Sequence, residues 1–190
     1  SRRNFDDVSG HVTFKAQLDT FLKKDVNPKD ISFDVEAVLQ NVRSEVLVPG
    51  RVLSSKSMAL SANPNEIQIS GDGTLSGIPF SGTWSQSLKA PKLASQVVAS
   101  MELSAASLKA LNVEVPSGAI DGKAIANLTL HMFEKEPVLF EFSSNLKGIS
   151  LNAPPLKWQK PRSLLGEINV KGAFSKPITI DNFVFSVNYR

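Results

Sequence analysis

Residues 31–42 read ISFDVEAVLQNV, and 107 positions later residues 138–149 read VLFEFSSNLKGI. In the first stretch Phe33, Val35, Ala37 and Leu39 alternate with Asp34, Glu36 and Gln40. In the second, Phe140, Phe142 and Leu146 hold one parity, while Glu141, Asn145 and Lys147 hold the other. Successive side chains of a strand point to opposite faces, so each stretch puts its large apolar residues on one side and its polar ones on the other. Aligned at Phe33 and Phe140, both carry an aromatic, an acid, an apolar residue, then Leu and a turn former. What covers the apolar side is the functional question.

Most of the chain repeats this pattern in runs bounded by Gly, Pro, Asn and Ser, the signature of an antiparallel all-β fold. Strands are predicted over residues 10–18, 30–44, 51–62, 66–75, 78–86, 95–103, 119–133, 137–152, 165–174 and 178–189. Val97, Ala99, Met101 and Leu103 share a parity opposite to Ser100 and Glu102, and Ala124, Ala126, Leu128, Leu130 and Met132 one opposite to Asn127, Thr129 and His131. Asn63, Pro64 and Asn65 mark a hairpin, while Gly71 and Gly73 inside a strand predict a bulge or tight bend. Pro154, Pro155 and Pro161 bracket a loop unable to join a central strand. One short helix is predicted, N-capped by Ser104 and ended by Pro116 and Gly118, and a second helical turn is expected over 19–24.

Each half holds a Gly-led strand (Gly10 or Gly122), then the Phe-led strand, then shorter ones. The fold class expected is therefore all-β with one or two short helices, its long antiparallel strands forming a curved, groove-forming sheet from two imperfect repeats. The repeats span 8–103 and 119–190, joined by the helix near 104–112, within one continuous unit of residues 1–190.

Composition bounds the chemistry. With 42% hydrophobic and 21% charged residues this is an ordinary globular composition, and a scattered net charge of +3 gives no footprint for nucleic acid. The absence of cysteine removes disulfides and thiolate chemistry. No run reaches the roughly 18 apolar residues of a spanning helix. With no start methionine and no hydrophobic region behind Arg2 and Arg3, the chain is expected to be a segment of something longer, any membrane anchor lying outside it.

Enzymatic readings lack parts. His11 and His131 have no Cys or carboxylate at ligand spacing, so no metal or cofactor site is expected. No G-x-S-x-G elbow is present, and Gly71, Gly73 and Gly77 precede Ile78, Pro79 and Phe80 where a phosphate loop would need a helix start. Asp34 with Glu36, and Glu134 with Glu136, read as solvated strand-face carboxylates. The cluster Lys157, Trp158, Lys160 and Arg162 mixes an interfacial aromatic with cations, a mix suited to lipid headgroups, although an ordinary exposed loop is the preferred reading.

Several short motifs resemble the bacterial AsmA-like family, in particular its very large YhdP-type envelope proteins. The similar stretches are VPGR at 48–51, ISGDGTLSGIPFSGTW at 69–84, the short helix from Ser104, VPSG at 115–118 and the Leu156, Lys157, Trp158 turn before Gly166. The resemblance implies a segment of a periplasmic protein of a Gram-negative cell envelope, tethered to the inner membrane by a segment not present here, and it implies no catalytic residues. It further implies a repeating β-groove along which phospholipid moves between the inner and outer membranes in outer-membrane biogenesis. Phospholipid and adjacent segments of the same protein are then the expected partners.

Burying a methylene is worth about 0.8 kcal/mol, so a sixteen-carbon tail leaving water gains on the order of 12 kcal/mol on any smooth apolar trough. Chosen by strand face alone, the expected groove-lining residues are Phe14, Phe33, Val35, Leu39, Leu128, Leu130, Phe140, Phe142, Leu146, Phe183 and Phe185. The alternative is a closed β-sandwich, a structural or interaction module of a large envelope protein without ligand. Periodicity does not separate the two, since both need one apolar face per strand.

Overall fold

A computed structural model describes residues 8–19, 32–45, 51–89, 94–175 and 177–187. Strands β1 (Val8–Asp19), β2 (Ser32–Ser44), β3 (Leu53–Ala62), β4 (Glu66–Leu75), β5 (Ile78–Ser87) and β6 (Ala94–Leu103) form an antiparallel meander. Helix α1 (Ala105–Ala110) and strand β7 (Ile120–Gly122) follow, then β8 (Ala124–Phe133), β9 (Leu139–Ser144), β10 (Ile149–Ala153), β11 (Trp158–Lys160), β12 (Gly166–Ala173) and β13 (Thr179–Val187). Ten of these strands make one antiparallel sheet in the order β1-β2-β3-β4-β5-β6-β8-β9-β12-β13, which does not close into a barrel. The remaining three form a small sheet, β11-β10-β7.

The predicted strands 119–133 and 137–152 are each divided, and at the same place. Gly122 and Gly148 adopt φ of +95° and +89°, and Leu146 a φ of 52°, so both chains turn out of the main sheet there. A Cβ on Gly122 would lie 2.2 Å from the Gly148 carbonyl oxygen, and one on Gly148 2.5 Å from that of Lys123. One two-stranded ribbon is thus folded at a corner: β8 pairs with β9 in the large sheet, and beyond the glycines β7 pairs with β10 in the small one. The proline-bracketed segment also differs from a plain loop. After a 3-10 turn at Pro154–Leu156 it supplies β11, which pairs with β10 alone, the edge position that neighbouring prolines permit.

The helix begins where capping chemistry places it. Ser104 Oγ accepts the Ser107 backbone N–H at 3.1 Å, and Ser107 Oγ accepts that of Ser104 at 2.8 Å. It stops before the expected proline, because Asn112 takes a left-handed conformation (φ 58°). The N–H of Val113 then reaches the carbonyl of Leu108 at 2.8 Å, and that of Asn112 the carbonyl of Lys109 at 3.0 Å, which satisfies the last turn. Arg51 donates to the Ala110 carbonyl and ties the helix end to the start of β3.

Gly71 and Gly73 do mark an irregularity, one in which the single extra residue lies on the partner strand. The β3–β4 register shifts between Ser54 and Met58, and Ser55 Oγ bridges the gap by donating to the Asp72 carbonyl at 2.6 Å. The expected helical turn over 19–24 lies outside the described residues beyond Asp19, which ends β1.

The core sits at one end of the strands. Ile78, Met101, Leu103, Ala124, Ala126, Leu146 and Ile149 are buried together, with Leu108, Ala110 and Leu111 of α1 and Ile120 and Leu151 of the small sheet packed on them. Helix and small sheet thus form a cap over the ends of the central strands. Gly122→Ala is expected to lower stability by more than about 3 kcal/mol, through an unfavourable φ and an overlap with a carbonyl. Gly77→Ala, at φ +83° with nothing within 4 Å of its Cβ, should cost about 1 kcal/mol, and comparing the two by urea denaturation checks the corner.

Candidate functional site

Cross-strand partners in an antiparallel sheet share a face, so the register decides which apolar residues meet. One row runs Phe14, Ala37, Leu60, Ile69, Trp84, Val97, Leu130, Phe140, Gly172, Ile180. The next runs Val12, Leu39, Met58, Gly71, Gly82, Ala99, Leu128, Phe142, Val170, Phe183. Each crosses all ten strands without a polar side chain, a width of roughly 43 Å at about 4.8 Å per strand. Most of these residues are half-buried, and those on β1 and β13 are the most exposed, Phe14 at 70% and Phe183 at 62%.

Eight of the eleven residues expected from the sequence fall on or beside this strip. Phe14, Leu130 and Phe140 belong to the first row and Leu39, Leu128, Phe142 and Phe183 to the second, while Phe185 faces Ile168 one row nearer the cap. Phe140 is buried because Phe174 stacks on it with ring centroids 4.7 Å apart, and Phe185 meets the edge of Trp158 at 5.7 Å. Val35 lies one row toward the uncapped end, where Gln86 and Ser95 interrupt the apolar surface, and Phe33 lies a further pair out, opposite Leu18. Leu146 is elsewhere. It follows the end of β9 in a turn and is buried in the core beneath the cap, since its parity with Phe142 ends where the strand ends.

Leu60, Ile69, Trp84, Val97, Ala99 and Val170 also belong to the strip and were not among the expected lining residues. Their parity was legible in each strand. Register between strands was the missing quantity.

The other face is polar and partly ion-paired. Lys171 lies opposite Glu141 at 2.9 Å, and its amine holds that carboxyl below the usual range, with a smaller contribution from His131. Lys123 does the same for Glu102 at 2.8 Å. The hollows of the surface are shallow and lined chiefly from this polar face. One of them, about 550 Å³, lies among Phe80, Ser81, Ser100, Glu102, Lys123 and Ile125. Among the described residues no group of three or more His, Asp or Glu could hold a metal ion, and no helix is long and apolar enough to cross a membrane.

The cationic segment at 157–162 is arranged differently from a headgroup patch. Arg162 pairs with Asp121. Lys160 is fully buried, and its Nζ donates to the carbonyls of Leu146 and Ile149 at 2.8 Å each and of Pro161 at 3.3 Å. All three ammonium protons are thereby used, which fastens β11 to the corner and leaves Lys157 and the ion-paired Arg162 as the exposed cations of the set. The chain matches no protein-family model, no curated protein and no solved structure.

Loss of water around Lys160 holds its amine below the ordinary value of 10.5. Between that lowered value and 10.5 the unfolded chain binds more protons than the folded one, so stability should rise with pH in this window. Lys160→Met should abolish the rise and cost roughly 2 kcal/mol at neutral pH by leaving carbonyls without a donor, as read by urea denaturation across pH.

Proposed function

We infer that this chain is a segment of a periplasmic AsmA-like, bridge-type protein that carries phospholipid acyl chains along the apolar strip between the inner and outer membranes. The observation that carries this reading is the strip itself: two rows of apolar side chains crossing ten strands, half-exposed, on a sheet that does not close. A tail lying across the strands meets hydrocarbon throughout, and gains about 0.8 kcal/mol per methylene withdrawn from water. No polar side chain in either row holds it at one place, so it can slide. The headgroup stays in water beside the uncapped strand ends, where Gln86 and Ser95 end the apolar surface.

The cap supports the same geometry. It seals the strand ends nearest Met101, Leu103 and Ala124, and among the described residues the only second sheet is the three-stranded one, too small to roof ten strands. A sandwich is thus closed at one end of the strands and unformed along the strip. No catalytic group is part of this reading, and membrane contact is made by an anchor outside the segment.

Native mass spectrometry of the purified chain should detect co-purifying phospholipid. Leu130→Asp, in the middle of the strip and away from the cap, should reduce lipid occupancy at least tenfold, a loss of about 1.4 kcal/mol, with an unchanged far-ultraviolet spectrum. Val98→Asp, half-exposed on the polar face, should leave it unchanged. A wild-type chain that carries no lipid and binds no apolar dye would replace the conduit by an unliganded structural module.

A further inference from the structure

We propose that the lowered centre of the strip is a seat for one straight acyl tail, and that it selects unbranched tails over methyl-branched, polyprenyl-type ones. This rests on the lipid reading and narrows it to a class of tail. Gly71, Gly82 and Ala99 are cross-strand neighbours on β4, β5 and β6, so three adjacent strands bring nothing larger than a methyl to the second row. The rows on either side rise above them, with Ile69, Trp84 and Val97 toward the uncapped end and Phe80 and Met101 toward the cap. Between these walls lies a furrow that crosses the strands in the direction of the strip itself.

Strand geometry sets its width. Phe80 and Trp84 stand on one face of β5 with Gly82 between them, so the walls are about 13 Å apart at roughly 3.3 Å per residue. Side chains on both walls and carbon–carbon contacts of about 4 Å leave a floor that fits one polymethylene chain and is too narrow for two abreast. A Cβ on Gly82 would lie 2.9 Å from the Ala99 Cβ, so the close approach of these two strands keeps the floor low. Other glycines of this face are covered from the neighbouring strand: a Cβ on Gly73 would lie 3.1 Å from the Phe80 ring, one on Gly172 3.1 Å from the Phe140 ring, and one on Gly71 3.1 Å from the Met58 Cγ. The deepest point is therefore Gly82 with Ala99. A straight tail sinks between the walls and touches this floor, whereas methyl branches hold a tail up on the walls and forfeit the contact beneath it.

Displacement of a fluorescent straight-chain fatty acid, cis-parinaric acid, from the delipidated chain compares two competitors below their aggregation concentrations. Palmitic and phytanic acids share a carboxylate and a sixteen-carbon backbone, and phytanic acid adds four methyl branches. A featureless apolar surface binds phytanic acid the more tightly, because it has more hydrocarbon to withdraw from water. The furrow should reverse that order, with palmitic acid at least tenfold tighter, and this ranking is read on the unmodified chain. Ala99→Phe, whose ring would lie over Gly82 as Phe80 lies over Gly73, should weaken palmitic acid at least tenfold with an unchanged far-ultraviolet spectrum. Ser100→Phe, on the opposite face of the same strand, should leave it unchanged. Ala99→Gly, which deepens the floor, should narrow the preference between the two acids. Equal affinities, tighter phytanic acid, or a folded Ala99→Phe chain that holds palmitic acid as the wild type does would overturn the seat and leave the conduit reading standing. A wild-type chain that binds neither acid would remove both.

Discussion

A slip of one residue at any of the nine pairings of the large sheet would turn the apolar side chains of every strand beyond it to the opposite side. Because side chains alternate with a period of two, the strip exists only while every strand keeps its register with the next. Three irregularities are tolerated, near Gly10, between Ser54 and Met58, and at Asp181, and after each the apolar parity is recovered. At the second, the Ser55 hydroxyl closes the gap by sharing its proton between the carbonyls of Asp72 and Ser57, so the one extra residue is accommodated without turning Met58 away from the face it shares with Leu39.

The cap has its own constraint, a close crossing of two backbones at Gly122 and Gly148. That crossing lets one ribbon serve both sheets, and it buries Leu146 and Ile149 against Met101 and Leu103. Lys160 completes the corner from the third strand of the small sheet, an ammonium with three carbonyls and no carboxylate among its partners. The ion pair is replaced here by backbone dipoles, which hold the charge in place while burial works against it. The result is an asymmetric object: strand ends closed by a packed core on one side, an apolar surface left half-exposed on the other.

That asymmetry explains why the hollows and the apolar strip do not coincide. Concave space opens on the opposite face, where the hydroxyls, amides and the Glu102–Lys123 pair share the lining with Val98 and Ile125, whereas the strip is a broad surface whose centre is lowered by Gly71, Gly82 and Ala99. A ligand that needs fixed hydrogen bonds would use the first; a hydrocarbon chain needs only the second. The proposed conduit rests on continuity of surface, for which no single enclosed cavity is required.

Alternation in the sequence determined the class of fold, the face of each strand and the place of the helix, because strand parity and the Ser104 cap are local chemistry. Phe14, Phe140 and Phe183 could be assigned to one side from their own strands alone. Which of them would meet in one row was decided only by register, a property of pairs of strands that no single strand encodes. Positive φ at Gly122 and Gly148 likewise cut two long alternating runs, since the glycines that permit a corner do not announce it until the two backbones cross. Leu146 shows the consequence: its parity was right for the strip, but the turn that follows β9 carried it into the core.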